Sequence, residues 1–214
     1  MCIRDRYRDI QTRCNGEIYI GVVGPVRTGK STFIKRFMDL LVLPHIEDEF
    51  ERERANDELP QSAGGKTITT TEPKFIPKEA ASISLGEGAQ ARVRLIDCVG
   101  YMVEGAAGHM ENGEERMVKT PWSEEEIPFT QAAETGTRKV IADHSSVGIV
   151  VTCDGSFTEI GRQQYEPAEE RTVRELKKLN KPFIVLLNTT KPYSEETGKL
   201  AEVLSEKYQV SVLP

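Results

Sequence analysis

The sequence has few of the features that mark membrane-bound, secreted or nucleic-acid-binding proteins. Its longest apolar stretches, such as Val147–Cys153, fall far short of the roughly 20 residues in a membrane-spanning helix, and no signal-peptide pattern begins the chain. A net charge of −6 without a basic block argues against a nonspecific grip on nucleic acid. We therefore expect a soluble, cytoplasmic protein with no transmembrane segment and no nucleic-acid partner.

Cysteine and histidine are also scarce. The four cysteines, at positions 2, 14, 98 and 153, show no metal-ligand spacing, and two of them fall inside predicted core strands. This distribution fits reduced, buried thiols better than a disulfide framework. The histidines, His45, His109 and His144, are scattered, so they are interpreted as ordinary surface or core residues.

What remains is an ordinary globular composition, with 214 residues, 38% hydrophobic and 29% charged, enough for one domain with a proper core. Apolar runs predict strands at 18–23, 91–98, 147–152, 182–187 and 210–213, and another from Phe75 onward with a turn at Gly86 and Gly88. Apolar spacing predicts helices from Phe33 to a stop at Pro44, over 129–144, from Pro167 to Leu179, and over 195–208. Alternating strands and helices indicate an α/β fold with a mainly parallel sheet covered on both faces.

Two polar segments interrupt the alternation of apolar strands and helices. Residues 47–58 are densely charged and predict a solvated helix or loop. Residues 100–128 form a long polar insertion with several glycines and few apolar anchors, too long for a plain connection in a compact domain. Within it, Trp122 is interpreted as a packing anchor and the run 124–126 as a solvated acidic patch.

The most informative motif is GPVRTGKS at residues 24–31, which matches the phosphate-binding pattern G-x-x-x-x-G-K-[ST]. It comes after a predicted strand and opens a helix, as this chemistry requires. Glycines let backbone N–H groups point at the phosphates, Lys30 places its charge on the β- and γ-phosphates, and Ser31 offers an oxygen ligand to Mg2+. The predicted nucleotide contacts in this loop are Gly24, Pro25, Val26, Arg27, Thr28, Gly29, Lys30, Ser31 and Thr32.

A second motif, RLIDCVG at residues 94–100, is an apolar strand that ends in an aspartate. Asp97 is predicted to reach the Mg2+ shell, and the Gly100 N–H to bond the γ-phosphate. The alternative is an ordinary aspartate at the end of a strand. Tyr101 then stands where many relatives keep a water-orienting glutamine, which predicts slow hydrolysis or a water-positioning group from another segment or subunit.

A threonine-rich run, KTITTTEP at residues 66–73, lies where switch-type nucleotide hydrolases keep a threonine that binds Mg2+ and senses the γ-phosphate. Spacing does not choose among the threonines; Thr70 and Thr71 are favoured, and the alternative is a β-prone run. The predicted catalytic residues are Lys30, Asp97, Thr70 and Thr71, and the predicted metal ligands are Ser31, Thr70 and Asp97.

The base-reading motif departs from the guanine-specific pattern N-K-x-D. Asn188 is kept after a buried strand and is predicted to contact the nucleotide, but Lys191 occupies the aspartate position. Lysine has no hydrogen-bond acceptor, so a guanine would leave its buried donors unpaired. The sequence therefore predicts ATP, with Mg2+, rather than GTP.

Longer stretches resemble the stage IV sporulation protein A family of endospore-forming bacteria. These are GVVGPVRTGKSTFIKRFM, DELPQSAGGKTITTTEPKFIP, RLIDCVGY, TPWSEEEIPF and ETGTRKVIADHS. The resemblance runs from about residue 7 to residue 214 and covers only the family's N-terminal nucleotide domain, which we expect to be truncated before its last helix, with the middle and C-terminal domains absent. Residues 1–6 (MCIRDR) fit poorly with the rest of the chain and are interpreted as a non-native lead-in.

The resemblance implies a three-layer α/β/α P-loop NTPase, related in fold to translation-factor-like GTPases of the TRAFAC type. It implies an ATPase of the mother-cell cytoplasm, at the outer forespore surface, whose hydrolysis drives self-assembly of the basement layer of the spore coat. The implied partners are other copies of itself, a small amphipathic membrane-anchoring sporulation peptide and other coat morphogenetic proteins, largely through regions absent here. The alternative is a nucleotide-gated regulatory switch of GTPase type, which Lys191 disfavours.

Overall fold

The computed structural model describes residues 17–60, 72–84, 90–111 and 113–214. The predicted lead-in at 1–6, the threonines Thr70 and Thr71, and the turn at Gly86 and Gly88 lie outside the described residues. In chain order the strands are β1 Glu17–Val23, β2 Lys74–Ser84, β3 Gln90–Asp97, β4 Met110–Glu111, β5 Glu114–Glu115, β6 Met117–Thr120, β7 Ser123–Pro128, β8 Val147–Cys153, β9 Phe183–Asn188 and β10 Val212–Leu213. The α-helices are α1 Lys30–Phe37, α2 Glu49–Asp57, α3 Phe129–Lys139, α4 Arg162–Lys178 and α5 Glu195–Tyr208.

A six-stranded sheet forms the centre of the domain, in the order β10-β9-β8-β1-β3-β2. Five strands run parallel, and the edge strand β2 runs antiparallel to β3. The predicted strands and the mainly parallel α/β architecture are therefore confirmed. Because the carboxyl ends of parallel strands meet at one edge, the loops after β1, β3, β8 and β9 lie on the same side of the sheet.

Alternation along the central strands divides the core between the two faces of the sheet. Val22 packs in a cluster with Ile34 of α1 and Ala55 of α2. Its neighbour Val23 packs in a second cluster with Tyr165 of α4. A third cluster joins α4 and α5 against β9. Helices thus cover both faces, which confirms the predicted three layers.

Two helix boundaries differ from the sequence prediction. The regular part of α1 ends at Phe37, and the chain then continues through a π-helical turn, Met38–Val42, and a 3-10 turn, Leu43–His45, that contains Pro44. The predicted start of a helix at Pro167 is wrong, because α4 begins at Arg162 and contains Pro167 in its interior. The predicted end at Leu179 lies one residue beyond the helix, where Leu179 is the C-terminal cap and is 45% exposed.

The long insertion is more ordered than its composition suggests. It contains two short hairpins, β4-β5 and β6-β7, and its few apolar anchors include Tyr101, Val103 and Ala106, which are buried. The guanidinium of Arg116 lies 4.3 Å from the centre of the Phe129 ring at the start of α3. Lys139, at the end of α3, lies with its Nζ 5.9 Å from the centre of the Trp122 ring.

Other sequence predictions agree with the described part of the chain. The charged segment after α1 is a helix, α2, whose first turn is capped by the Asp48 carboxylate accepting from the Glu51 N–H at 2.7 Å. Cys98 and Cys153 are buried free thiols, and burial raises the pKa of Cys98 to about 11. Within the described residues, no helix is both long and apolar enough to cross a membrane.

Candidate nucleotide-binding site

The loop at residues 24–31 joins β1 to α1, and its backbone takes conformations that require glycine. Gly24 and Gly29 have φ angles of +129° and +92°, which side chains rarely allow. A Cβ at Gly24 would press into the Val151 carbonyl, and one at Gly29 would lie 2.5 Å from the Asn188 amide nitrogen. The two glycines of the motif are therefore fixed by the close packing of β8 and β9 around the loop.

Lys30 is a buried cation that donates to a backbone carbonyl rather than to a carboxylate. Its side chain is buried, and its Nζ donates to the Pro25 carbonyl at 2.6 Å. Burial lowers the pKa of Lys30, while Cys98 and Asp97 act in the opposite direction. No ion pair joins it to a carboxylate of the described residues. Since a buried charge is costly and Asp97 compensates it without a direct ion pair, this environment fits an anionic ligand.

Ser31 and Asp97, which are 66 positions apart in the chain, meet beside this lysine. The Ser31 hydroxyl donates to Asp97 Oδ2 at 2.7 Å. The other carboxylate oxygen, Oδ1, is buried and has no hydrogen-bond partner among the described residues. Burial raises the pKa of Asp97, against the hydrogen bond from Ser31 and the charge of Lys30. An unpaired buried oxygen next to a hydroxyl suits Mg2+, which prefers hard oxygen ligands.

Asn188 holds the phosphate loop from the side. Its amide Nδ2 donates to the Thr28 carbonyl at 3.0 Å, and the buried Thr28 hydroxyl donates to the Pro25 carbonyl at 3.0 Å. Thr32, by contrast, is exposed on the first turn of α1, and Lys191 is exposed beyond β9. The structure thus places Asn188 against the loop backbone, whereas the contacts of these residues with a nucleotide stay predictions.

Asp154 is part of the same edge of the sheet and was not predicted from the sequence. It lies directly after β8, and its carboxylate accepts from the Thr189 hydroxyl at 2.6 Å and from the Ser156 N–H at 2.9 Å. Burial acts to raise the pKa of Asp154, but these hydrogen bonds outweigh it and hold that pKa below its usual range. The available signal was its position at the end of a parallel strand, the same position as Asp97.

The segment after Asp97 packs directly on the phosphate loop. The Gly100 N–H donates to the buried Thr137 hydroxyl of α3 at 3.1 Å. Tyr101 donates its N–H to the Gly24 carbonyl at 3.2 Å and accepts from the Val26 N–H at 2.9 Å. Neither Thr137 nor its role was predicted, because no local pattern links it to a residue 37 positions earlier.

The Tyr101 side chain turns away from the phosphate loop and packs on α4. Its hydroxyl donates to Glu175 Oε2 at 2.5 Å, and the Arg171 guanidinium lies 4.1 Å from the centre of its ring. Burial and Glu175 raise the pKa of Tyr101 well above its usual range, so the hydroxyl remains a donor. In this position its hydroxyl is bound to Glu175 of α4.

Comparisons with known proteins identify the family of this chain. The family described as "Stage IV sporulation protein A, ATPase domain" matches residues 1–214. Proteins named Stage IV sporulation protein A are 58% identical over 208 residues in Clostridioides difficile (strain 630) and 56% identical over 209 residues in Bacillus subtilis (strain 168). These alignments cover 97% and 98% of this chain but 42% of each relative. A dimerization-deficient mutant of Toc33 from Arabidopsis thaliana aligns at a TM-score of 0.48 and 12% identity, over 97% of this chain and 74% of that one.

A phosphate loop between β1 and α1, on a mainly parallel sheet with helices on both faces, is the arrangement of a P-loop NTPase. The family match spans the whole chain, and the curated relatives are 56% and 58% identical to it. The chain therefore belongs to the stage IV sporulation protein A ATPase-domain family.

Proposed function

We propose that this chain binds ATP with Mg2+ at residues 24–31 and hydrolyses it to ADP and phosphate. The observation that carries the proposal is the group formed by Lys30, Ser31 and Asp97. It joins a buried cation that forms no ion pair with a described carboxylate to a buried carboxylate oxygen that has no hydrogen-bond partner among the described residues. A Mg2+-bound triphosphate supplies the negative charge and the metal ion that these two groups lack.

Each residue has a separate task in this proposal. Lys30 holds the β- and γ-phosphates and stabilises the charge that develops on them. Ser31 and Asp97 hold the metal. Asn188 fixes the loop through the Thr28 carbonyl, so that the loop N–H groups keep their direction. Because the Tyr101 hydroxyl is bound to Glu175, we expect slow hydrolysis by this chain alone.

ATP is preferred over GTP in this proposal because of Lys191. Guanine recognition needs a carboxylate that accepts from the ring N–H and amino group. Lys191 is exposed and has no acceptor, and the nearby carboxylate of Asp154 already accepts from Thr189 and Ser156. A guanine base would therefore lack the hydrogen bonds by which guanine-specific sites recognise it.

The role of the hydrolysis is proposed from the family. The chain spans 42% of the length of its curated relatives, and the role proposed here is that of a full-length family member. We propose that ATP hydrolysis there drives self-assembly of the basement layer of the spore coat around the forespore, in the mother-cell cytoplasm. The proposed partners are other copies of the protein, a small amphipathic membrane-anchoring peptide and other coat proteins.

Phosphate release from ATP and from GTP tests the enzymatic part. We expect ATP to be preferred, and Lys30→Ala to lower the ATP rate by about 100-fold or more, because it removes the main charge on the phosphates. Arg36→Ala is the matched control, since it removes an exposed cation from the same helix. Preferential turnover of GTP would contradict the ATP assignment.

Sedimentation of a full-length family member after addition of ATP tests the assembly part. We expect ATP to move the wild type into the pellet and to leave Lys30→Ala in the supernatant. A protein that hydrolyses ATP and stays monomeric would contradict the structural role. Nucleotide binding without turnover would favour the alternative, a regulatory switch.

A further inference from the structure

Two backbone N–H groups beside the predicted phosphate site are already used by the protein. The Val26 N–H of the phosphate loop donates to the Tyr101 carbonyl at 2.9 Å. The Gly100 N–H, predicted to bond the γ-phosphate, donates to the Thr137 hydroxyl at 3.1 Å. A terminal phosphate that bonds the Gly100 N–H must therefore compete with the Thr137 hydroxyl for this donor.

The same segment also fills space beside the loop. Gly100 has a φ of +97°, and a Cβ on it would lie 2.7 Å from the Lys30 Nζ and would press into the Gly24 carbonyl. Tyr101 forms an isolated parallel bridge with Pro25. The segment Gly100–Tyr101 therefore lies against the first residues of the phosphate loop. It is also close to Lys30, which is predicted to hold the β- and γ-phosphates.

Side chains on α3 and α4 hold the segment in this place. Thr137 is fully buried, and its own hydroxyl proton is donated to the Ala133 carbonyl at 2.8 Å, which leaves its oxygen free to accept from Gly100. Glu175 accepts from the Tyr101 hydroxyl at 2.5 Å and is itself contacted by Arg171 at 3.5 Å. Neither Thr137 nor Glu175 belongs to the predicted set that contacts nucleotide or metal.

We propose that the segment Gly100–Tyr101 is a γ-phosphate gate, held closed by Thr137 and Glu175, which makes these two residues determinants of the preference between nucleoside triphosphate and diphosphate. In the closed position the site takes a diphosphate, and a triphosphate binds only after the gate opens. The proposal rests on the proposed function, because it requires the nucleotide to bind at residues 24–31.

A gate of this kind has a measurable signature. The apparent affinity for a triphosphate is the intrinsic affinity reduced by the fraction of molecules in the open state. Weakening the closed state raises that fraction and tightens triphosphate binding, while diphosphate binding stays the same. Loss of general stability has no such selectivity.

The test measures the affinities of the 214-residue chain for Mg2+-ADP and for the non-hydrolysable analogue AMP-PNP with Mg2+, by calorimetry. Tyr101→Phe removes the hydroxyl that Glu175 accepts from and keeps the ring. We expect it to tighten AMP-PNP binding by about fivefold or more, the value of one lost hydrogen bond in the closed state. ADP binding should change less than about twofold.

Thr137→Val provides an independent variant, because it removes the acceptor of the Gly100 N–H without changing the size of the side chain. It should shift the ratio of the two affinities in the same direction, and Thr137→Ser, which keeps the hydroxyl, should restore the wild-type ratio. Tyr208→Phe is the matched control, since Tyr208 also donates to a glutamate, Glu169, at 2.5 Å but lies away from the gate. It should leave the ratio unchanged.

The outcomes separate the gate from the proposed function. If wild type binds ADP, and Tyr101→Phe and Thr137→Val change the two affinities equally or weaken AMP-PNP, the gate is overturned and the proposed function stands. If wild type binds neither nucleotide, the proposed function fails, and the gate fails with it.

Discussion

At the scale of single residues, Glu169 is the most buried charge of the domain outside the nucleotide site, among the described residues. It has no exposed surface, and Arg162 donates to its two carboxylate oxygens at 2.6 and 2.7 Å. Tyr208 adds a third hydrogen bond at 2.5 Å. Because removal of two charges from water costs several kcal/mol, such a pair holds only while each partner is present.

We therefore expect Glu169→Ala to lower the free energy of unfolding by about 3–5 kcal/mol, since Arg162 and Tyr208 would be left buried without their acceptor. Urea unfolding followed by circular dichroism measures this loss. The control is Glu134→Ala, which breaks a half-exposed pair with Arg171 at 2.8 Å and should cost less than about 1 kcal/mol. Equal losses in the two variants would contradict the assigned burial of Glu169.

Cys153 supplies a second prediction at this scale. The side chain is fully buried, and burial raises the pKa of its thiol. Only the thiolate reacts with iodoacetamide, so we expect Cys153 to stay unlabelled at about pH 8 in the native protein and to be labelled in denaturant. Peptide mass spectrometry gives the labelled fraction, and an exposed thiol introduced by Leu179→Cys is the positive control. Rapid labelling of Cys153 in the native protein would show that the assigned burial is wrong.

The same raised pKa gives the direction of a pH effect. The folded state keeps the proton at pH values where the unfolded thiol, with an ordinary pKa of about 8.5, has lost it. The stabilisation from Cys153 is therefore fully present below that pH and is lost as the pH rises through the folded value. Cys153→Ala should remove this part of the alkaline loss of stability.

At the scale of secondary structure, α4 contains a proline that weakens its hydrogen bonding. Pro167 lies inside the helix and is exposed, so it leaves the carbonyl four residues earlier without its N–H partner. We expect Pro167→Ala to raise the free energy of unfolding by about 1 kcal/mol, because the regained hydrogen bond and helix propensity exceed the entropy lost from a stiffer unfolded chain. Arg174→Ala, at another exposed position of α4, should change stability little. A less stable Pro167→Ala would mean that the proline contributes something other than helix strain.

The elements that were predictable from sequence are those with a strong local signal. β1, β3, β8 and β9 are short apolar runs, and α5 was predicted over 195–208, the range Glu195–Tyr208 that the structure shows. The start of α4 was misplaced because a proline favours the first turn of a helix and hides an earlier start. The hairpins of the insertion were missed because their strands, such as the two-residue β4 and β5, are too short for a periodic pattern.

The site was predictable to the extent that its residues belong to local motifs. The meeting of Ser31 and Asp97 results from the parallel pairing of β1 with β3, in which Val22 lies opposite Asp97. Thr137 and Glu175 lie 37 and 74 positions from the residues that they hold. Such contacts depend on how α3 and α4 pack against the sheet, and no spacing in the chain encodes them.

At the scale of the whole molecule, nucleotide binding should raise the free energy of unfolding and Tm. A ligand that binds only the folded state at a hundredfold excess over its Kd raises the free energy of unfolding by about 2.7 kcal/mol. For a chain of this size we expect Mg2+-ADP to raise Tm by about 5–10 °C in a thermal scan. Arg36→Ala should show the same shift, and Lys30→Ala should show little or none. An undiminished shift in Lys30→Ala would place the ligand elsewhere.

The sequence contains a single tryptophan, Trp122, and its position gives the native protein a built-in optical label. It lies in the turn between β6 and β7, with Lys139 of α3 over its ring, and its indole nitrogen is buried without a partner among the described residues. The fluorescence emission of an indole shifts to longer wavelength when the ring becomes more exposed to water. Fluorescence therefore reports, without dye or mutation, whether this hairpin stays packed on α3, the helix that also holds Gly100.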